Sequence, residues 1–210
     1  MSLRYALLAL LTAGPLTGYD AAKRFGGSVG QVWHAPDSHI YPELRRMYKE
    51  GLVEAEQVRW GPRSTKTQYR ITEDGIGAFR QWMNTPLGHP PERDVHHMQA
   101  AYFEWAEPEH AREILRRHIE YYMTHVQLLT DVRDGIRDGT DPVIVRRLGN
   151  YPDHEHARII AYKAYTYEGM IARSQAEIDW ARRGLELVDR LSQDRPKGID
   201  SPDAQARPPV

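Results

Sequence analysis

The sequence holds no cysteine in 210 residues, which rules out disulfides, thiolate metal sites and a cysteine nucleophile, and leaves nothing that needs an oxidising compartment. Long hydrophobic runs are missing as well. The opening MSLRYALLALLTAG is apolar but too short to span a bilayer, and no basic segment precedes it, so neither a membrane span nor a signal peptide is expected. The cytoplasm is the expected location. Catalytic signatures are absent too: there is no G-x-S-x-G and no HExxH, and Gly26-Gly27-Ser28-Val29-Gly30 follows a helix rather than a strand, so it reads as a break. No enzyme activity, cofactor or metal is expected.

An excess of charge is lacking overall, since 28 basic residues stand against 29 acidic ones. Splitting the chain changes that. Residues 1–85 hold 11 Lys and Arg against 8 Asp and Glu, a balance of +3, whereas residues 86–210 hold 17 against 21, a balance of −4. The sign suits an N-terminal part that meets a polyanion. The length fits one large domain or two small ones.

The most informative stretch runs from Pro36 to Thr72. In PDSHIYPELRRMYKEGL, Ile40, Leu44 and Met47 recur at helical spacing and define a buried face, while Ser38, Pro42, Arg45, Arg46 and Lys49 occupy the opposite one. Pro42 is tolerated in a first turn, which predicts a helix start near Asp37 or Ser38, and Gly51 ends the helix. Two strand-like runs follow, Leu52 to Trp60 and Lys66 to Thr72, joined by GPRST. They predict a hairpin whose Val58, Trp60, Tyr69 and Ile71 seat it on the helices, with Arg59, Arg63 and Lys66 around the tip. A helix with a basic outer face followed by a basic hairpin predicts a winged helix-turn-helix, the helix entering a major groove of double-stranded DNA. The expected contacts are Ser38, His39, Tyr41, Arg45, Arg46, Lys49, Arg59, Arg63 and Lys66. Arg45 and Arg46 suit bases or phosphates; Tyr41 is either a phosphate-binding hydroxyl or half-buried packing.

Around this stretch the chain reads as mainly α. Leu3, Ala6, Leu7, Leu10 and Leu11 form a first helix, Thr17-Gly18-Tyr19-Asp20 caps a second, and Thr72-Glu73-Asp74 opens another that buries Ile76, Phe79 and Trp82. A short helix is expected over Val95 to Trp105, burying Met98, Tyr102 and Phe103. One long helix runs from Pro108 to about Asp138, a turn region covers Gly139 to Tyr151, and a last long helix opens at Pro152. Steps of three and four from Ala164 to Leu191 make a heptad seam, with Ile171, Ile178, Leu185 and Val188 as expected dimerisation residues. Two long antiparallel helices alone leave apolar area uncovered, which predicts a homodimer. The expected division is a DNA-binding domain over 1–85, a proline-rich linker over 86–94, a helical dimerisation domain over 95–191 and a disordered tail over 192–210.

GPLTGYD, HIYPELRRMYKEGLVE and KTQYRITEDG together resemble the PadR family of transcriptional regulators over residues 3–84, and residues 92–191 resemble the virulence-activator type of helical C-terminal domain. The resemblance implies a dimeric bacterial DNA-binding protein, usually a repressor, and for many relatives a small hydrophobic or phenolic effector. On that reading two recognition helices about 34 Å apart engage an inverted repeat. The alternative is a protein-interaction module that keeps the winged-helix shape without binding DNA.

Ten histidines invite a metal reading, but His118 and His125 lie two helical turns apart, too far to share an ion, so surface or core histidines are expected. The tryptophans and tyrosines line either an effector pocket or the core and dimer seam.

Overall fold

The computed structural model describes residues 3–25, 36–61, 64–89 and 93–193. Arg63, the glycine-rich break with Trp33, and the tail from residue 194 lie outside the described residues. The chain forms two compact units: residues 1–90 with 139–159, and residues 91–138 with 160–210.

The first unit opens with α1 (Leu3–Leu11), β1 (Leu16–Thr17), α2 (Gly18–Arg24) and α3 (Asp37–Lys49). A hairpin of β2 (Val53–Trp60) and β3 (Ser64–Ile71) leads into α4 (Glu73–Met83). Leu7, Leu8, Phe25, Ile40, Leu44 and Met47 are part of its core, where burial takes their apolar surface out of water. Thr17 caps α2: its hydroxyl accepts from the Asp20 N–H at 3.1 Å and donates to the Asp20 carboxylate at 2.7 Å. Thr72 caps α4 by accepting from the Gly75 N–H at 3.0 Å. Gly75 has no room for a side chain, because a Cβ there would lie 2.1 Å from the Leu52 carbonyl oxygen. The start of α4 thus lies directly against the residue that precedes β2.

The sheet has three strands in the order β1-β3-β2, all antiparallel, so the wing is stitched to the helix-turn-helix by Leu16↔Tyr69 and Thr17↔Gln68. Its register corrects one expectation. Tyr69 faces Ala55 and Ile71 faces Val53 on the inner side, whereas Val58↔Lys66 and Trp60↔Ser64 fall on the opposite face, because directly paired residues share a face and successive residues alternate. Trp60 is therefore not seated on the helices and is 49% exposed.

A second correction concerns α3. Its N-cap is Pro36, without a side-chain hydrogen bond, and Pro42 lies inside the helix, in its second turn. Pro42 has no N–H to offer the Ser38 carbonyl four residues back. Both residues are exposed, so water can reach the carbonyl left over.

Two further expectations change in the later chain. Val95 to Trp105 does not form one buried helix: α5 spans Val95–Ala100, a 3-10 turn covers Phe103–Trp105, and Met98 and Tyr102 face solvent. The segment expected to be a turn region contains α7 (Pro142–Leu148), capped by the Asp141 carboxylate on the N–H groups of Val143 and Ile144. This helix belongs to the first unit. Arg147 donates to the Thr12 hydroxyl at 3.1 Å and the Asn150 amide to the Ala13 carbonyl at 3.0 Å.

In the second unit α6 (Pro108–Arg137) packs against α8 (Asp153–Gln193) from residue 160 onward. Pairs such as Arg112–Asp189, His118–Glu177 and Arg137–Glu168 pair rising numbers with falling ones, so the helices run antiparallel. No helix among the described residues is long and apolar enough to cross a membrane.

Candidate nucleic-acid interface

Burial of Ile40, Leu44 and Met47 fixes the rotation of α3, and with it what the helix shows to solvent. At 100° per residue, Ser38, Pro42, Arg45 and Lys49 project opposite the core with Arg46 beside them, and all five are exposed. His39 and Tyr41, also exposed, lie on the two flanks.

The cations on this helix are not equivalent. Arg46 lies 3.3 Å from Glu43 and 3.5 Å from Glu50. Arg4 of α1 reaches the same two carboxylates at 3.1 and 2.7 Å. This lattice ties α3 to α1 and answers the Arg46 charge within the chain, although Arg46 remains 60% exposed and such surface pairs are individually weak. Arg45 and Lys49 have no ion pair among the described residues. Arg45 lies near Tyr69, whose hydroxyl burial pushes to higher pKa while the Arg45 charge pulls it back.

Tyr41 packs through one side of its ring. A Cβ on Gly18 would sit 2.5 Å from Tyr41 Cε1, so the ring rests against the start of α2, where only a hydrogen fits. The ring is nevertheless 42% exposed.

At the wing, Arg59 is exposed. Lys66 is half-buried, with Nζ 3.5 Å from the centroid of the Trp60 ring and 4.7 Å from that of Tyr19. Residue patterning did not reveal this arrangement, because Trp60 was assigned to the wrong face; the pairing Val58↔Lys66 is what places ammonium and indole side by side.

The second unit carries a different cluster. His118 is buried in the helical stripe of α6, with Nε2 3.1 Å from Glu177, and His125 Nδ1 lies 3.0 Å from the Ser174 hydroxyl. His97 stacks on Trp180 at 4.0 Å, and burial raises the pKa of the neighbouring Tyr122, with Glu177 adding to the shift. No group of three or more potential metal ligands converges among the described residues. Beside this cluster lies a groove of about 730 Å³ lined by His97, Phe103, Leu115, Trp180, Leu187 and Leu191, among others. Of the expected dimerisation residues, Ile178 is fully buried within the single chain, while Ile171, Leu185 and Val188 are half-buried.

A three-helix core, a stitched hairpin and an outward face of polar and basic side chains define a winged helix-turn-helix protein. Residues 7–81 match the transcriptional regulator PadR-like family, so the first unit carries a PadR-like domain. Over 192 residues it is 24% identical to the negative transcriptional regulator PadR of Bacillus subtilis, covering 90% of this chain and 98% of that one. A crystal structure of that protein with operator DNA superposes with a TM-score of 0.71 at 22% identity, over 89% of this chain and 99% of the other. Its structure with p-coumaric acid gives 0.65 at 22% identity, over 89% and 95%. The Vibrio cholerae virulence activator AphA gives 0.64 at 24% identity, over 90% and 99%.

Proposed function

We propose that two copies of this chain bind an inverted-repeat operator through α3 and the wing and repress transcription by occupying promoter DNA. The observation that carries the reading is the outward face of α3, where Ser38, Arg45 and Lys49 stand exposed with two cations unpaired in the described residues. Arg45 is assigned to a base edge or phosphate, Lys49, Arg59, Arg63 and Lys66 to backbone phosphates, and Ser38 and His39 to the groove entry. Arg46 contributes less, because Glu43 and Glu50 compete for it. The structure of the Bacillus subtilis relative with operator DNA supports this use of the fold.

Dimerisation follows from apolar area that one chain leaves open. On α6 and α8, Tyr121, Met123, Leu128, Tyr162, Tyr165, Leu187 and Leu191 are exposed, and a second copy covers such a surface most simply. A small hydrophobic or phenolic effector fits the groove beside Trp180; the relative's complex with p-coumaric acid supports that class of ligand. The effector acts by unequal affinity for the DNA-bound and free states.

Binding of duplexes selected from a random library, measured against salt, tests the reading. Arg45→Ala and Lys49→Ala each reduce the slope of log affinity against log salt by about two if they meet a phosphate, one in each copy, while Arg46→Ala changes it less. Unaltered affinity and slope in the Arg45→Ala/Lys49→Ala double variant would refute the helix assignment. A mass in solution of twice the 24.2 kDa chain is expected; a monomer at micromolar concentration overturns the two-copy arrangement.

A further inference from the structure

Two large aromatic side chains in the first unit are left half in water without a place in the core: Tyr19 is 54% exposed and Trp60 49%. They come from different elements, α2 and β2, yet both rings lie within reach of one ammonium group on β3, Lys66 Nζ, at 4.7 and 3.5 Å from their centroids. The backbone beneath is fixed. Trp60 pairs with Ser64 across the hairpin, and the Ser64 hydroxyl donates to the Trp60 carbonyl, so the indole is held at the last position of β2, one residue before the turn. No carboxylate forms an ion pair with Lys66 among the described residues. Its charge is faced by aromatic rings, which attract a cation without cancelling it.

We propose that Tyr19 and Trp60 are positioning residues that hold the Lys66 ammonium at the wing for a DNA phosphate. The inference rests on reading this unit as DNA-binding. A lysine on a flexible four-carbon stem must lose its rotational freedom when it meets a phosphate. The two rings remove much of that freedom beforehand, and because Tyr19 stands on α2, they also tie the reach of the wing to the helix-turn-helix.

The test is a set of mutant cycles on the full-length protein, using a duplex that the wild type selects from a random library. Lys66→Gln is expected to lower the slope of log affinity against log salt by about two, one contact in each copy. Trp60→Ala and Tyr19→Ala each weaken binding by about five- to hundredfold, the cost of ordering one free side chain in each of two copies, whereas Trp60→Phe and Tyr19→Phe, which keep a ring, bind as the wild type does. In the Lys66→Gln background, removing either ring weakens binding no further. Thermal midpoints within a degree or two of the wild type, expected for exposed side chains, separate these effects from loss of fold; the phenylalanine variants serve the same purpose if an alanine variant is unstable. Alanine variants that bind as tightly as the wild type overturn the inference, as does a ring whose removal costs as much without Lys66 as with it. A wild-type protein that selects no duplex fails at the earlier step, the DNA-binding reading itself.

Discussion

A methyl group added at Gly18 would stand 2.5 Å from Cε1 and 2.9 Å from Cδ1 of Tyr41, closer than packed carbons tolerate. Tyr41 is partly exposed and can swing outward, so Gly18→Ala is expected to cost about 1 kcal/mol, the low end for an overpacked site, measured by urea unfolding. The same substitution in a Tyr41→Ala background should cost clearly less, since the clash is gone. Equal costs in both backgrounds would show that the ring is not what excludes the side chain. Asp94 supplies a second prediction. The His97 N–H donates to its carboxylate at 3.0 Å, and that bond, with the nearby His97 ring, holds the Asp94 pKa below the usual carboxylate value. A depressed carboxylate stabilises the fold above its unfolded pKa of about 3.9 and loses that contribution as pH falls through the folded value. Protection of the His97 amide against hydrogen exchange should therefore hold from neutrality to about pH 4 and decline below it. Asp94→Asn, still an acceptor but uncharged, should show no such decline.

Among the elements, α3 carries the clearest cost. A proline in a helix interior removes one hydrogen bond and crowds the preceding turn, at roughly 3 kcal/mol relative to alanine. Pro42→Ala restores a donor for the Ser38 carbonyl and should raise the unfolding free energy by about 1–3 kcal/mol. A decrease would mean that Pro42 is itself needed to seat Ile40 and Leu44. The misplacement of this proline in the sequence reading shows where pattern alone stops. Ile40, Leu44 and Met47 disclose the buried face of α3 through their spacing, and the expected start near Asp37 or Ser38 agrees with a helix from Asp37, but that start puts Pro42 past the first turn, where a proline is not expected. The wing tells the same story. Its strands were legible in VEAEQVRW and KTQYRI, yet Val58 and Trp60 went to the inner face because alternation within a strand does not fix the register between strands. α6 was legible almost to the residue from its proline start and unbroken stripe. α7 was not, since seven residues carry too few turns for a periodic signal, and its anchors, Thr12 and the Ala13 carbonyl, lie far away in sequence. Of the candidate interface, the outward cations of α3 were readable from the sequence. The partial neutralisation of Arg46 was not, because it depends on Arg4 bringing α1 alongside.

Seen as a whole molecule, the chain does not complete its first unit in order. Residues 139–159 fold with residues 1–90, and Arg147 and Asn150 satisfy groups at the end of α1. A fragment ending at residue 90 lacks that support. It is expected to unfold at a lower temperature than the first unit does within the full chain, and adding back a peptide of residues 139–159 should recover part of the loss. An isolated fragment as stable as the intact unit would mean that α7 only rests on it.

During synthesis, the same arrangement imposes a delay. The ribosome releases α1, the recognition helix and the wing long before it has made the strand of chain that fastens them, so a nascent polypeptide holds an unfinished reading head throughout most of its translation. A premature stop codon anywhere between the linker and α7 would leave behind a truncated product with the basic surface encoded but its brace missing.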